Sequence, residues 1–100
     1  MDVQSAQRLG RRRSGRFVVV SVRDNALGHP RFALAVSKKV GGAVVRNRVK
    51  RRLREVFRHL RPHLRGVDVV VSARPDAAMA PIDVLDHAVC TALAAWRISG

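Results

Sequence analysis

Along residues 43–61 the apolar side chains Val45, Val49, Leu53, Val56, Phe57 and Leu60 recur at spacings of three and four. That is the period of a helix with one buried face. At about 100° per residue these positions fill an arc of roughly 120°. Asn47, Lys50, Arg51, Arg54, Arg58 and Arg61 fall on the opposite side. Arg46 breaks the pattern, lying inside the apolar arc between Leu53 and Phe57. Either the helix starts after it, or its side chain reaches along a sheet edge toward a ligand. The Gly41-Gly42 pair separates this helix from what precedes it, and Pro62 ends it, with Gly66 a later stop.

Other stretches carry a strand signature. Residues 17–22, FVVVSV, are rich in β-branched side chains, and in residues 31–37 Phe32, Leu34 and Val36 alternate with Ala33 and Ala35. Residues 23–30, RDNALGHP, read as the long turn of a hairpin joining these two strands. Residues 67–73, VDVVVSA, are almost continuously apolar, which predicts a central strand. A short helix is expected over residues 2–9, a basic loop over 11–16 and a loop over 74–80. Pro81 and Asp83 suit the first turn of a last helix, whose stripe is Leu85, Ala88, Val89, Ala92, Leu93 and Trp96. The order strand, strand, helix, strand, helix predicts an α+β sandwich in which one sheet carries helices, built as a single domain over residues 1–100.

Charge changes the picture from a generic domain to one with a polyanionic partner. The 100 residues hold 20 Lys+Arg against 7 Asp+Glu, a net charge of +13. All the cations except Lys38, Lys39 and Lys50 are arginine, whose planar fork suits phosphate. Residues 1–66 contain 18 basic and 3 acidic side chains; residues 67–100 contain 2 and 4. The stretch 46–54, RNRVKRRLR, packs six cations into nine residues, and Glu55 is the only acid between Asp24 and Asp68. Solvated helices ordinarily mix signs to gain i,i+4 pairs, so a face this one-sided costs stability that a phosphate backbone offsets.

Catalytic or metal chemistry finds little purchase. The acids Asp2, Asp24, Glu55, Asp68, Asp76, Asp83 and Asp86 are scattered, whereas a two-metal nuclease needs converging carboxylates. His59 and His63 have metal-ligand spacing, but Pro62 lies between them and no third ligand is near. Cys90 stands alone, so neither an internal disulfide nor a cysteine metal cage is expected, and it reads as a small buried hydrophobe. Gly41-Gly42 is followed by neither Lys-Ser nor Lys-Thr, which excludes a P-loop. No apolar run approaches the ~20 residues of a membrane span, and no secretory signal precedes Arg8 and Arg11–Arg13, so a cytoplasmic protein is expected.

The block VSKKVGGAVVRNRVKRRLREVFR, residues 36–58, resembles the signature of the bacterial ribonuclease P protein subunit. RNR at 46–48, KR at 50–51 and RE at 54–55 stand at that family's spacing. RFALAVSKK before it and DVVVSARP after it also fit, with Ala33 where a glycine is usual. The resemblance implies an α-β-β-β-α-β-α sandwich whose central basic helix follows a left-handed crossover, against the usual rule. It implies a monomer in a 1:1 ribonucleoprotein with a catalytic RNA. That RNA binds Mg²⁺ and removes the 5′ leader from precursor tRNA, so no catalytic or metal-binding residue is assigned to this chain. Arg46, Asn47, Arg48, Lys50, Arg51 and Arg54 would face the RNA, with Lys38 and Lys39 nearby.

The same resemblance places a leader cleft between the sheet and the first helix. Aligned on Gly10, two aromatic positions of that helix become Val3 and Gln7, and an aromatic of the next strand becomes Val20. Leader binding then rests more on Phe17, backbone groups and charge. The alternative of a structural, ribosomal-type RNA-binding protein shares the composition but lacks a reason for the RNR block. A DNA reader would need base-specific side chains where this helix offers arginines suited to phosphate.

Overall fold

A computed structural model of the chain describes residues 11–95. The expected first helix over residues 2–9, and Trp96, lie outside that range. The described elements are β1 (Arg11–Ser14), β2 (Val18–Asp24), β3 (Arg31–Ala35), α1 (Ala43–Leu60), β4 (Val67–Ala73) and α2 (Ile82–Ala95), with 3₁₀ turns at Arg61–His63 and Pro75–Met79. This is the expected α+β architecture. One four-stranded sheet has the order β1-β2-β4-β3.

Two local expectations are corrected. Residues 11–14, read as a basic loop, form β1, paired antiparallel to β2 with Arg11 opposite Val22 and Arg13 opposite Val20. Nothing in RRRS favours a strand by itself; the edge of β2 supplies the hydrogen-bond partners. The hairpin expected across residues 23–30 is also absent, because β4 inserts between β2 and β3. It pairs antiparallel with β2 (Val20↔Val71) and parallel with β3 (Leu34↔Val71). Val69, Val70 and Val71 are at most 1% exposed. A strand apolar on both faces takes the position with neighbours on both sides, and the shorter Arg31–Ala35 goes to the edge.

A polar knot lets the β2–β3 connection step across the start of β4. Asp68 on β4 is 1% exposed, and its carboxylate accepts from Arg31 Nε at 2.7 Å, Arg31 Nη2 at 2.8 Å and Asn25 Nδ2 at 3.0 Å. Asn25 also donates from its amide to His29 O, while its backbone N–H reaches Gly66 O. A buried carboxylate demands such partners. The adjacent Arg31 guanidinium holds the Asp68 carboxyl below its ordinary range, outweighing the upward push of burial, and Asn25 adds to the effect.

Both helices pack on one face of the sheet. Val18, Val20, Val22, Val67, Val69 and Val71 form a core with Val49, Leu53, Val56, Phe57 and Leu60 of α1, and with Leu85, Val89, Ala92 and Leu93 of α2. The helical period of residues 43–61 is thus realised almost to the residue. Gly41, two residues before α1, leaves room for Val45: a Cβ there would lie 2.9 Å from Val45 Cγ1. Arg52 donates to Ala80 O at 2.7 Å, tying the segment before α2 to the flank of α1.

Candidate nucleic-acid interface

Helix α1 is held by its apolar stripe, so its other side is free to carry charge. Asn47, Arg48, Arg51 and Arg54 are exposed, and Lys50 is half-buried at the border of the stripe. Lys38 and Lys39 are exposed in the turn before the helix, where Lys39 N–H donates to Ser37 Oγ and Gly41 N–H to Lys38 O. The α1 N-cap is Gly42, with no side-chain cap and no acid in the first turn, so the positive helix end adds to this surface. Asn47 sits in the second turn and does not cap.

What distinguishes these cations is what they lack. Among the described residues, ion pairs within α1 involve only Glu55, with Arg58 at 2.9 Å and His59 at 3.7 Å. Arg46, Arg48, Lys50, Arg51 and Arg54 have no acidic partner there. Arg46 lies within the helix, which settles one alternative left open by the sequence. It is half-buried, and its Nε is buried without a hydrogen-bond acceptor. Buried polar side-chain atoms ordinarily have a partner, so this Nε is an exception to the rule.

Two grooves flank this framework. The first, about 340 Å³, lies between α1 and β3 and is lined by Phe32, Ala33, Leu34, Lys50, Arg54 and Phe57. Phe32 and Phe57 stack at 4.6 Å, and the Arg61 guanidinium lies 5.1 Å from the Phe32 ring centre. The second, about 260 Å³, lies between the β1–β2 turn and α2. Val18, Val20, Ala88 and Ala92 give it apolar surface, and Arg13, Ser14, His87 and Thr91 give it polar groups. Val20, expected in a leader cleft, is therefore at this groove, fully buried beneath it. Phe17 is half-buried, with Arg16 5.1 Å from its ring centre. Val3 and Gln7 lie outside the described residues.

Sequence reasoning missed the exposed Arg11, Arg12 and Arg13 of β1, and the aromatic pair at β3. The arginines were visible as charge but not as a strand. The Phe32–Phe57 pair joins residues 25 positions apart, and periodicity within one element carries no such information. Among the described residues no cluster of three or more His, Cys, Asp or Glu gathers, and no helix is long and apolar enough to cross a membrane.

Comparison with known proteins converges on one family. The family model described as Ribonuclease P matches residues 2–96. The chain is 50% identical over 84 residues to the ribonuclease P protein component of Kocuria rhizophila, covering 83% of this chain and 71% of that protein. It is 47% identical over 87 residues to that of Thermus thermophilus, covering 87% of this chain and only 52% of the relative. The structure of the Staphylococcus aureus RNase P protein superposes with a TM-score of 0.86 at 30% identity, covering 97% of this chain and 90% of that one.

Proposed function

The chain belongs to the ribonuclease P protein family, and on that premise we propose that it is the accessory subunit of a ribonuclease P ribonucleoprotein. It binds the catalytic RNA through α1 and promotes removal of the 5′ leader from precursor tRNA. The observation that carries this reading is the row of cations on α1, Arg46, Arg48, Lys50, Arg51 and Arg54, left without acidic partners. Charges held on a rigid helix meet successive phosphates without first being freed from competing carboxylates. Lys38 and Lys39 extend the surface beyond the helix start.

The leader cleft expected between the sheet and the first helix involves residues outside the described range; the groove between the β1–β2 turn and α2, which Val20 also lines, is the described surface to which this reading assigns the leader. Its apolar side accepts a base and Arg13 a phosphate, with Phe17 as the nearby aromatic. In this reading Mg²⁺ is held mainly by the RNA and the substrate, and no step is assigned to this chain's side chains. The protein's contribution is to bind, neutralise and orient, as one copy per RNA in the cytoplasm.

The deciding experiment is precursor-tRNA cleavage at low Mg²⁺ with protein alone, ribonuclease P RNA alone, and both. Cleavage only in the combined sample, or strongly enhanced there, is expected. Tight binding without enhancement would make the chain a structural RNA-binding protein, and cleavage by the protein alone would overturn the reading.

A further inference from the structure

The sheet has two edges, and they are treated differently. On β1 the edge residues Arg11, Arg12 and Arg13 are all exposed, and charge of one sign is a common guard against further pairing. On β3, which pairs only with β4 among the described elements, the middle residues are Phe32, Ala33 and Leu34. No charge guards that stretch. Yet cations stand beside it, with Lys50 and Arg54 on the groove wall and Arg61 over Phe32.

The lining of this groove says how it meets the strand. Side chains of consecutive strand residues point to opposite faces. Phe32, Ala33 and Leu34 all line one cavity, so the cavity looks onto β3 edge-on, where backbone N–H and C=O groups point outward. One wall therefore offers backbone donors and acceptors, and the other offers two cations. The Phe32–Phe57 pair adds aromatic surface between them. At about 340 Å³ the space is at the lower end of small-ligand sites, which run from ~300 to ~1,000 Å³.

From this arrangement we infer that the β3–α1 groove holds one unpaired nucleotide of bound RNA. Its base edge hydrogen-bonds to the open side of β3, and its phosphate lies against Lys50 and Arg54. The inference rests on the RNA-binding reading of α1 and sharpens it, because the interface then senses a base as well as phosphates. Charge selects this occupant over a strand from a second copy. A dimer through β3 would bring two chains of net charge +13 together with their Lys50 and Arg54 side chains adjacent.

The test uses the full chain and three RNA probes of equal length and phosphate number: octaadenylate, octauridylate and an octamer of abasic ribose phosphates. Binding is measured at fixed salt, and backbone amide resonances are followed by NMR. The chain is expected to bind a base-bearing octamer about tenfold tighter than the abasic one, within the range for a single base contact. The amides of Phe32, Ala33 and Leu34 shift with the base-bearing probes and not with the abasic one. K50Q/R54Q abolishes this preference, while R48Q/R51Q, which removes the same charge outside the groove, weakens all three probes equally and keeps it. Unmoved β3 amides, or a preference that survives K50Q/R54Q, overturn the nucleotide site and leave RNA binding by α1 intact. Concentration-dependent dimerisation that broadens the β3 amides without RNA assigns the edge to a second copy and likewise overturns it. Failure of the chain to bind ribonuclease P RNA as well as the octamers rejects the underlying reading instead.

Discussion

Asp68 and Cys90 show how tertiary surroundings give a side chain a property its position along the chain does not announce. The Asp68 carboxyl is held below its ordinary value of 3.8 by Arg31 and Asn25. A carboxyl depressed in the folded state stabilises the fold above its unfolded value, and that contribution disappears as pH falls through the folded value. Asp68→Asn is therefore expected to lower Tm at neutral pH, with the gap to the unaltered chain closing below about pH 4. Thermal melts across that range check it; a constant gap would show that Asp68 acts through shape alone. Cys90 is the converse case. Burial first, and then its hydrogen bond to Asp86 at 3.3 Å, push the thiol up to about 11. At pH 8 it should stay protonated and react with iodoacetamide far more slowly than a free thiol of ordinary pKa, about 8.5. Labelling at the rate of glutathione would contradict this.

At the scale of the element, α1 joins two faces of opposite purpose. Leu53, 0% exposed at the centre of the apolar face, anchors the helix to the sheet. Leu53→Ala is expected to cost about 2–5 kcal/mol, read as a lower denaturant midpoint with little change in slope. The other face should tolerate loss of charge without unfolding. Changing Arg46, Arg48 and Arg54 to Ala is expected to weaken RNA binding far more than changing Arg65 and Arg74, which are exposed away from α1. Equal losses per charge from both sets would mean that the field of the whole molecule, and not the helix, recruits RNA. Arg46 is the position where the two faces meet. Its place inside the apolar arc was legible in the sequence, though which alternative held depended on where the helix starts; its buried Nε without an acceptor was not.

For the whole molecule, the governing quantity is a net charge of +13 on 100 residues. If about six phosphates are contacted, the logarithm of the RNA affinity should fall with log[salt] at a slope of roughly −4 to −5. A slope near −1 in a salt titration would dismiss a multivalent basic face. Self-repulsion should also make the isolated chain respond to anions, so sulfate or RNA is expected to raise its Tm. An unchanged midpoint would count against that. The asymmetry matters as much as the sum: the basic residues of α1 and β1 flank a core closed by α2, whose first turn carries Asp83.

Much of this protein is determined by the chain alone. The 3.6-residue period placed α1 within one residue of its observed limits, because a helix that must bury one face writes that requirement locally. The almost continuous apolar run of residues 67–73 marked β4 as central for the same reason. The RNR block and its charge were legible in the sequence as one basic helix face, the face that the proposed function assigns to RNA. The tertiary structure decided what depends on distant partners. β1 exists because β2 offers an edge, and the hairpin is absent because β4 competes successfully for the side of β2 that β3 would have used. The two grooves, the Asp68 knot and the stacking of Phe32 on Phe57 each join segments far apart in sequence. Pairing and packing energies of that kind belong to no single stretch of residues, and only the folded chain brings their partners together.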